Sequence, residues 1–217
     1  MAIHKRVKRL VSVGLLVVLL TAVALSVGPA KAQSYYFRVP QLDMQVFVQP
    51  DASVRIIYDI TFDNTGAPIE VVDIGLPHRD YDLDTMQASI NGVSLRDIRP
   101  SEYIDVGVEI HLGTQAIPRG QQGTLHFECT MPDMIYQDRT DRAYASLEIT
   151  PTSFDDDVVQ GPGTIRLAIH MLPGIEPDEV LYQDVPFDDK VVFNEQVVAR
   201  WIWEDVMPTQ SRVVGDS

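Results

Sequence analysis

Leu42-Asp43-Met44-Gln45-Val46-Phe47-Val48-Gln49 and Val54-Arg55-Ile56-Ile57-Tyr58-Asp59-Ile60-Thr61-Phe62, joined by Pro50-Asp51-Ala52-Ser53, decide the fold. In the first run Leu42, Met44, Val46 and Val48 share one side, with Asp43, Gln45 and Gln49 opposite. In the second, Val54, Ile56, Tyr58, Ile60 and Phe62 share a side, with Arg55, Asp59 and Thr61 opposite. A period of two sustained this long marks half-buried strands, because successive side chains of a strand leave on opposite faces. The joint has turn chemistry: proline presets its φ, and Asp and Ser bond the local backbone. The reading is a β-hairpin with one apolar face, which needs a second layer to cover it.

Working outward, the same period recurs. Ile69 to Leu76 reads as a strand stopped by Pro77. Met86 to Asn91 and Val93 to Leu95 form a hairpin around Asn91-Gly92, two residues that tolerate positive φ. Val106, Val108, Ile110 and Leu112 alternate with Gly107, Glu109 and His111. Leu125, Phe127, Cys129 and Met131 alternate with His126, Glu128 and Thr130. Tyr144 to Thr150, Ile165 to Met171, and a last hairpin of Val191–Phe193 with Val197–Trp203 complete the set. No amphipathic helix of ten residues or more is expected. Many short strands with frequent turn signals give an all-β chain. The expected class is an antiparallel β-sandwich, immunoglobulin-like in architecture, preceded by an N-terminal hydrophobic export helix. The cysteine pair of true immunoglobulin domains is absent, since Cys129 is the single cysteine and no internal disulfide can form.

The leader decides the compartment. His4-Lys5-Arg6-Val7-Lys8-Arg9 is a basic start, Leu10 to Leu25 is an apolar run, and Ala30-Lys31-Ala32 places small residues before Gln33. Residues 1–32 are therefore a signal peptide or an uncleaved membrane anchor. Either outcome puts the remainder outside the cytoplasm. Residues 33–208 are read as one continuous extracytoplasmic β-sandwich domain, because no sequence repeat crosses Gly161-Pro162-Gly163, the candidate sub-boundary near 155–163. Residues 209–217 are read as a flexible tail. The formal net charge is −14, and the five basic residues of the leader leave the rest at −19. Such a surface repels phosphate backbones, so nucleic acid is not an expected partner.

Several phrases belong together: Val46-Phe47-Val48-Gln49-Pro50-Asp51, Tyr58-Asp59-Ile60-Thr61-Phe62, Asp73-Ile74-Gly75-Leu76-Pro77, Ser89-Ile90-Asn91-Gly92, Tyr144-Ala145-Ser146 with Thr150-Pro151, and Leu172-Pro173-Gly174. Together they resemble the extracytoplasmic β-domain of a family of bacterial membrane-associated or secreted proteins of unknown function. The resemblance covers most of the chain after the leader. It implies location and fold, and its phrases are turns and strands, with no catalytic motif among them.

Candidate sites are few. Asp80, Asp82 and Asp84 stand at i, i+2 and i+4, a spacing that lets loop carboxylates converge on calcium. They form the leading metal candidate, and calcium is the one cofactor considered. Thr85 and Asn91 occupy positions where an EF-hand needs glycine and glutamate. Asp155-Asp156-Asp157 is a second acidic run, whose side chains alternate in an extended chain and meet only in a tight loop. His111 and His126 are expected on the polar sides of neighbouring strands, two imidazoles where zinc needs three or four ligands. Cys129 falls on an apolar face and reads as structural. Trp201 and Trp203 share a strand side, as core or as an aromatic platform. No G-x-S-x-G elbow occurs. The resulting expectation is a non-catalytic module at the cell envelope, binding or structural. An envelope protein or a glycan is the expected partner, and the membrane is reached through an uncleaved N-terminal segment. The alternative is a secreted carbohydrate-active or hydrolytic enzyme using acidic residues.

Overall fold

The computed structural model describes residues 35–216, so the expected export helix lies outside the described residues. In chain order the strands are β1 (Phe37–Val48), β2 (Val54–Asn64), β3 (Val71–Gly75), β4 (Gln87–Ile90), β5 (Val93–Leu95), β6 (Asp97–Pro100) and β7 (Gly107–His111). They continue as β8 (Gln122–Met131), β9 (Ile135–Gln137), β10 (Ala145–Ile149), β11 (Gly163–His170), β12 (Asp189–Phe193), β13 (Gln196–Val206) and β14 (Val214–Asp216). The helical content among the described residues is two three-residue 3-10 turns. No helix among them is long and apolar enough to cross a membrane.

Eight strands form one large sheet in the order β12-β13-β11-β1-β2-β8-β4-β5. Two three-stranded sheets, β14-β10-β9 and β3-β7-β6, supply the second layer. The β1–β2 ribbon is the middle of the large sheet. Its alternation is realised without a slip from Gln41 to Val48, with Met44 opposite Tyr58 and Val46 opposite Ile56. Ile56, Tyr58 and Ile60 are each 1% exposed or less, while Arg55 and Asp59 stand on the outer face. β8 continues the inner rows, with Phe127 beside Tyr58 and Cys129 beside Ile56. Ile74, Val108, Ile110, Leu147, Ile149 and Val214 from the small sheets join the same buried cluster.

Two hydrogen bonds stitch the layers together at polar points. The buried Tyr58 hydroxyl accepts the Thr152 N–H at 3.0 Å, and Thr152 Oγ1 accepts the Gly75 N–H at 3.0 Å. A buried phenol needs such a partner, and burial raises its pKa well above the usual tyrosine range. Gly163 is fixed by a close backbone approach: a Cβ there would meet the Val39 carbonyl oxygen at 1.9 Å. The neighbouring irregularity in β1 falls between Arg38 and Gln41, around Pro40, which has no N–H to give the ladder.

Two expectations are corrected. The sheet is mixed, because β1 and β11 run parallel, which requires a long crossover between them. That pair and the strand order depart from an antiparallel, immunoglobulin-like arrangement. The expected tail at 209–217 contains β14, which pairs with β10 from Leu147 to Ile149. The described residues form one compact unit.

Candidate functional site

The hairpin turn that links β1 to β2 also helps to build a cavity. Asp51 accepts the Ser53 N–H, and Ala52 adopts a positive φ of 67°. That conformation turns the Ala52 carbonyl outward, where it accepts N–H bonds from Met134 at 2.9 Å and Ile135 at 3.2 Å. Ile135 is thereby held beside Val48, the last residue of β1. A cavity of about 540 Å³ opens there, within the usual size range of ligand sites. Its walls are mainly apolar and include Val48, Ile135, Leu147, Met171, Leu172 and Val180.

Two loops frame it. In residues 138–144, Asp138 accepts N–H bonds from Thr140 and Asp141 through Oδ1 and the Ser146 hydroxyl through Oδ2, each at 2.7 Å. This network holds the buried Ser146 and its neighbours Ala145 and Tyr144 against the opening. In residues 171–180, the Met171 N–H donates to the Val197 carbonyl, and Gln196 Nε2 donates to the Met171 carbonyl. Further along, Glu179 Oε2 accepts the Glu176 N–H at 2.7 Å, and Lys190 Nζ donates to the Val180 carbonyl at 3.0 Å.

The sequence candidates fall elsewhere. Asp82 caps the 3-10 turn Leu83–Thr85, with Oδ1 accepting the Asp84 N–H at 3.0 Å; Asp80 precedes that turn and Asp84 lies within it. Among the described residues, the acidic group whose ligand oxygens come within 4.8 Å of one another is Asp155, Asp156 and Asp157. The tight turn at 155–158 achieves what an extended chain forbids, and all three carboxylates are exposed. Cys129 is fully buried, and burial pushes its thiol up to about 12, which removes it as a nucleophile. Trp201 is core at 1% exposed, and its indole N–H donates to the Val185 carbonyl at 3.0 Å.

His111 and His126 are not neighbours: β7 and β8 belong to different sheets. His111 Nε2 lies 2.7 Å from Glu109 Oε1 on the outer face of β3-β7-β6. There Asp73 stands opposite Glu109 and accepts the Ser101 hydroxyl. The two carboxyls titrate apart: burial, aided by Glu109, raises Asp73, and the His111 bond lowers Glu109. His126 Nδ1 lies 2.8 Å from Asp59 Oδ1 on the outer face of the large sheet. Ser89 of β4 is the register partner of His126 on its other side. A hydroxyl, an imidazole and a carboxylate thus stand in one cross-strand row. Sequence reading missed this row because its members are far apart in the chain. The signal was present as polar positions in three alternating runs, and only the strand order aligns them.

The cavity and the row belong to a two-layer, mixed-sheet β-module. No protein-family model matches the chain, and no curated protein sequence does. Solved structures do share the fold. A variant M1 zinc metallopeptidase of Deinococcus radiodurans, bound to a tyrosine-serine-alanine substrate, matches with TM-score 0.53 and 12% identity, over 83% of this chain and 42% of that one. Leukotriene A4 hydrolase of Saccharomyces cerevisiae matches with TM-score 0.51 and 10% identity, over 88% of this chain and 31% of that one. A protein of Legionella pneumophila described as nutrient-binding matches with TM-score 0.54 and 10% identity, over 85% of this chain and 68% of that one. The chain therefore spans less than half the length of either enzyme. These likenesses correct the expectation that the chain is no enzyme, because its fold is one that peptidases and a hydrolase carry.

The zinc of the metallopeptidases finds no matching donor set among the described residues. His111 and His126 pair with separate carboxylates. His78 meets the Pro132 carbonyl, and His170 stacks on Phe47. Among the described residues the one convergent set is three exposed carboxylates, oxygen donors suited to hard cations.

Proposed function

We propose that the chain is a peptide-handling β-module of the hydrolase class that works outside the cytoplasm. The observation that carries this reading is the fold, shared over 83% of the chain with a metallopeptidase bound to a tripeptide. The apolar cavity offers a peptide side chain a receptacle, apart from the outer-face row, since none of Asp59, His126 and Ser89 lines it. The basic, apolar leader and the resemblance to extracytoplasmic domains support the location. Within this reading the acid–base group is His126, oriented by Asp59, with Ser89 as the adjacent hydroxyl. The pairing is the kind in which a carboxylate fixes the tautomer of a base.

The test is incubation of the purified protein with a mixture of unstructured peptides, read by mass spectrometry. Cleavage is expected, reduced roughly 10²- to 10⁴-fold in His126→Ala, the usual worth of a general base. Ser89→Ala separates a nucleophilic role from water activation by the imidazole. Intact peptides after prolonged incubation would overturn the hydrolytic reading, as would undiminished cleavage by His126→Ala.

A further inference from the structure

We propose that the cavity between residues 138–144 and 171–180 docks a basic peptide segment by swallowing one bulky apolar side chain. The inference takes its ligand class from the peptide reading above, and it adds what that peptide must look like. Three observations carry it.

The first is the wall. Val48, Ile135, Leu147, Met171, Leu172 and Val180 present hydrocarbon and sulfur to about 540 Å³ of space. Apolar walls hold water poorly, so an apolar group entering the cavity gains the full burial term.

The second is the rim. Residues 171–180 contain Glu176, Asp178 and Glu179 and no basic residue, and all three acids are exposed. The Lys190 ammonium, held by the Pro177 and Val180 carbonyls, keeps its charge, so this side carries three carboxylates against one cation. Across the opening, Asp138 and Asp141 are balanced by Arg139 and Arg142. The opening is therefore acidic on one side and neutral on the other, in a chain whose overall charge is −14. That field repels fatty-acid carboxylates, anionic lipid headgroups and acidic peptides, and it draws lysine and arginine.

The third is the apolar surface beside the opening. Ile175, which lines the opening, is 38% exposed. Exposed apolar side chains with a charged rim are the usual surroundings of a binding site for another chain.

The probe is a dye-labelled, acetylated and amidated Lys-Lys-Phe-Lys-Lys peptide, titrated into the full chain by fluorescence anisotropy. Saturable binding is expected, weakening as salt rises. Glu-Glu-Phe-Glu-Glu and Lys-Lys-Ser-Lys-Lys should each bind at least about tenfold more weakly, the first for want of charge and the second for want of an anchor. Ala145→Trp places an indole from an exposed position of β10 into the opening and should abolish binding. Glu176→Gln with Glu179→Gln should weaken it and flatten its salt dependence. The unfolding midpoint of each variant verifies that the fold is kept. Equal binding of the acidic peptide, or undiminished binding by Ala145→Trp, would overturn the proposal, as would tighter association with phosphatidylglycerol vesicles. Binding is read on a peptide that need not be cleaved. Failure to dock and failure to hydrolyse are thus separate results.

Discussion

The β1–β2 ribbon and the loops around the cavity meet at Ala52, yet they are governed by different physics. In the ribbon, alternation leaves each side chain one choice of face, and a one-residue slip would turn every apolar group outward. Strand residues such as Val48 and Leu147 supply part of the cavity wall, but in the two loops that frame it no period operates. Shape there comes from single hydrogen bonds: the Ala52 carbonyl to Met134 and Ile135, Asp138 to Ser146, and Glu179 to Glu176. A core built by periodicity is over-determined, whereas a site built by individual bonds can be altered one residue at a time without unfolding the sheet.

The strongest way to break this contrast is to attack the ribbon. Ile56→Ala removes a side chain that is 1% exposed, between Val46 and Cys129 in the register. The expected loss is about 2–5 kcal/mol, the lost transfer energy plus the cost of the cavity left behind. Urea unfolding measures it. A loss below about 0.5 kcal/mol, the scale of surface substitutions, would mean the inner face is not closed.

That difference also explains what could be read from the sequence. The strands of the core were legible because Val54, Ile56, Tyr58, Ile60 and Phe62 repeat a pattern that few other structures satisfy. The Asn91-Gly92 turn was legible because both residues take positive φ, 50° and 81°. The parallel β1–β11 pair was not, since periodicity says which face a residue takes and nothing about which strand lies alongside. β14 was missed because its short run, Val214–Asp216, sits among polar residues and gains its place from β10. The cavity was invisible for the same reason as the Asp59–His126–Ser89 row. Both are made by neighbours in space, and their members look unremarkable one at a time.

A smaller effect probes the outer face of the same ribbon. His170 stacks on Phe47 with ring centroids 4.1 Å apart, and Arg55 lies over Phe47 at 4.6 Å from the ring centroid. His170 Nε2 meets Gln45 Oε1 at 3.2 Å. Burial, with a lesser contribution from the Arg55 charge, lowers the pKa of this imidazole below its ordinary 6.5. The unfolded chain therefore binds a proton more readily than the folded one, so stability rises with pH across that window. The contribution of His170 is fully present above pH 6.5 and is lost as pH falls through the lowered value. Urea midpoints at pH 7.5 and at pH 5 should separate more for the wild-type chain than for His170→Gln. Equal separations would remove His170 as a source of acid sensitivity.

The smallest effect compares Asp82 with Asp156, two aspartates of acidic turns; in the second turn the bond like that of Asp82 is made by Asp155, whose Oδ1 accepts the Asp157 N–H at 2.8 Å. Asp82 is tied to its backbone: its carboxylate caps the 3-10 turn by accepting the Asp84 N–H. Losing a cap costs, so Asp82→Ala should destabilise by about 0.5–1 kcal/mol, at the low end for caps because the turn is short. Asp156 stands between two other exposed carboxylates, with the oxygens of all three within 4.8 Å. Like charges at that range repel, and the repulsion is screened by salt. Asp156→Ala should therefore raise the unfolding midpoint slightly in low salt, and the gain should vanish near 1 M salt, where the screening length falls to about 3 Å. The loss in Asp82→Ala should persist, because a capping bond at contact distance is barely screened. Thermal unfolding of both variants at two salt concentrations gives four midpoints and one sign test. If Asp156→Ala lowers the midpoint at low salt, its carboxylate supports the 155–158 turn beyond the bond that Asp155 already makes there, and the repulsion is not what governs the run.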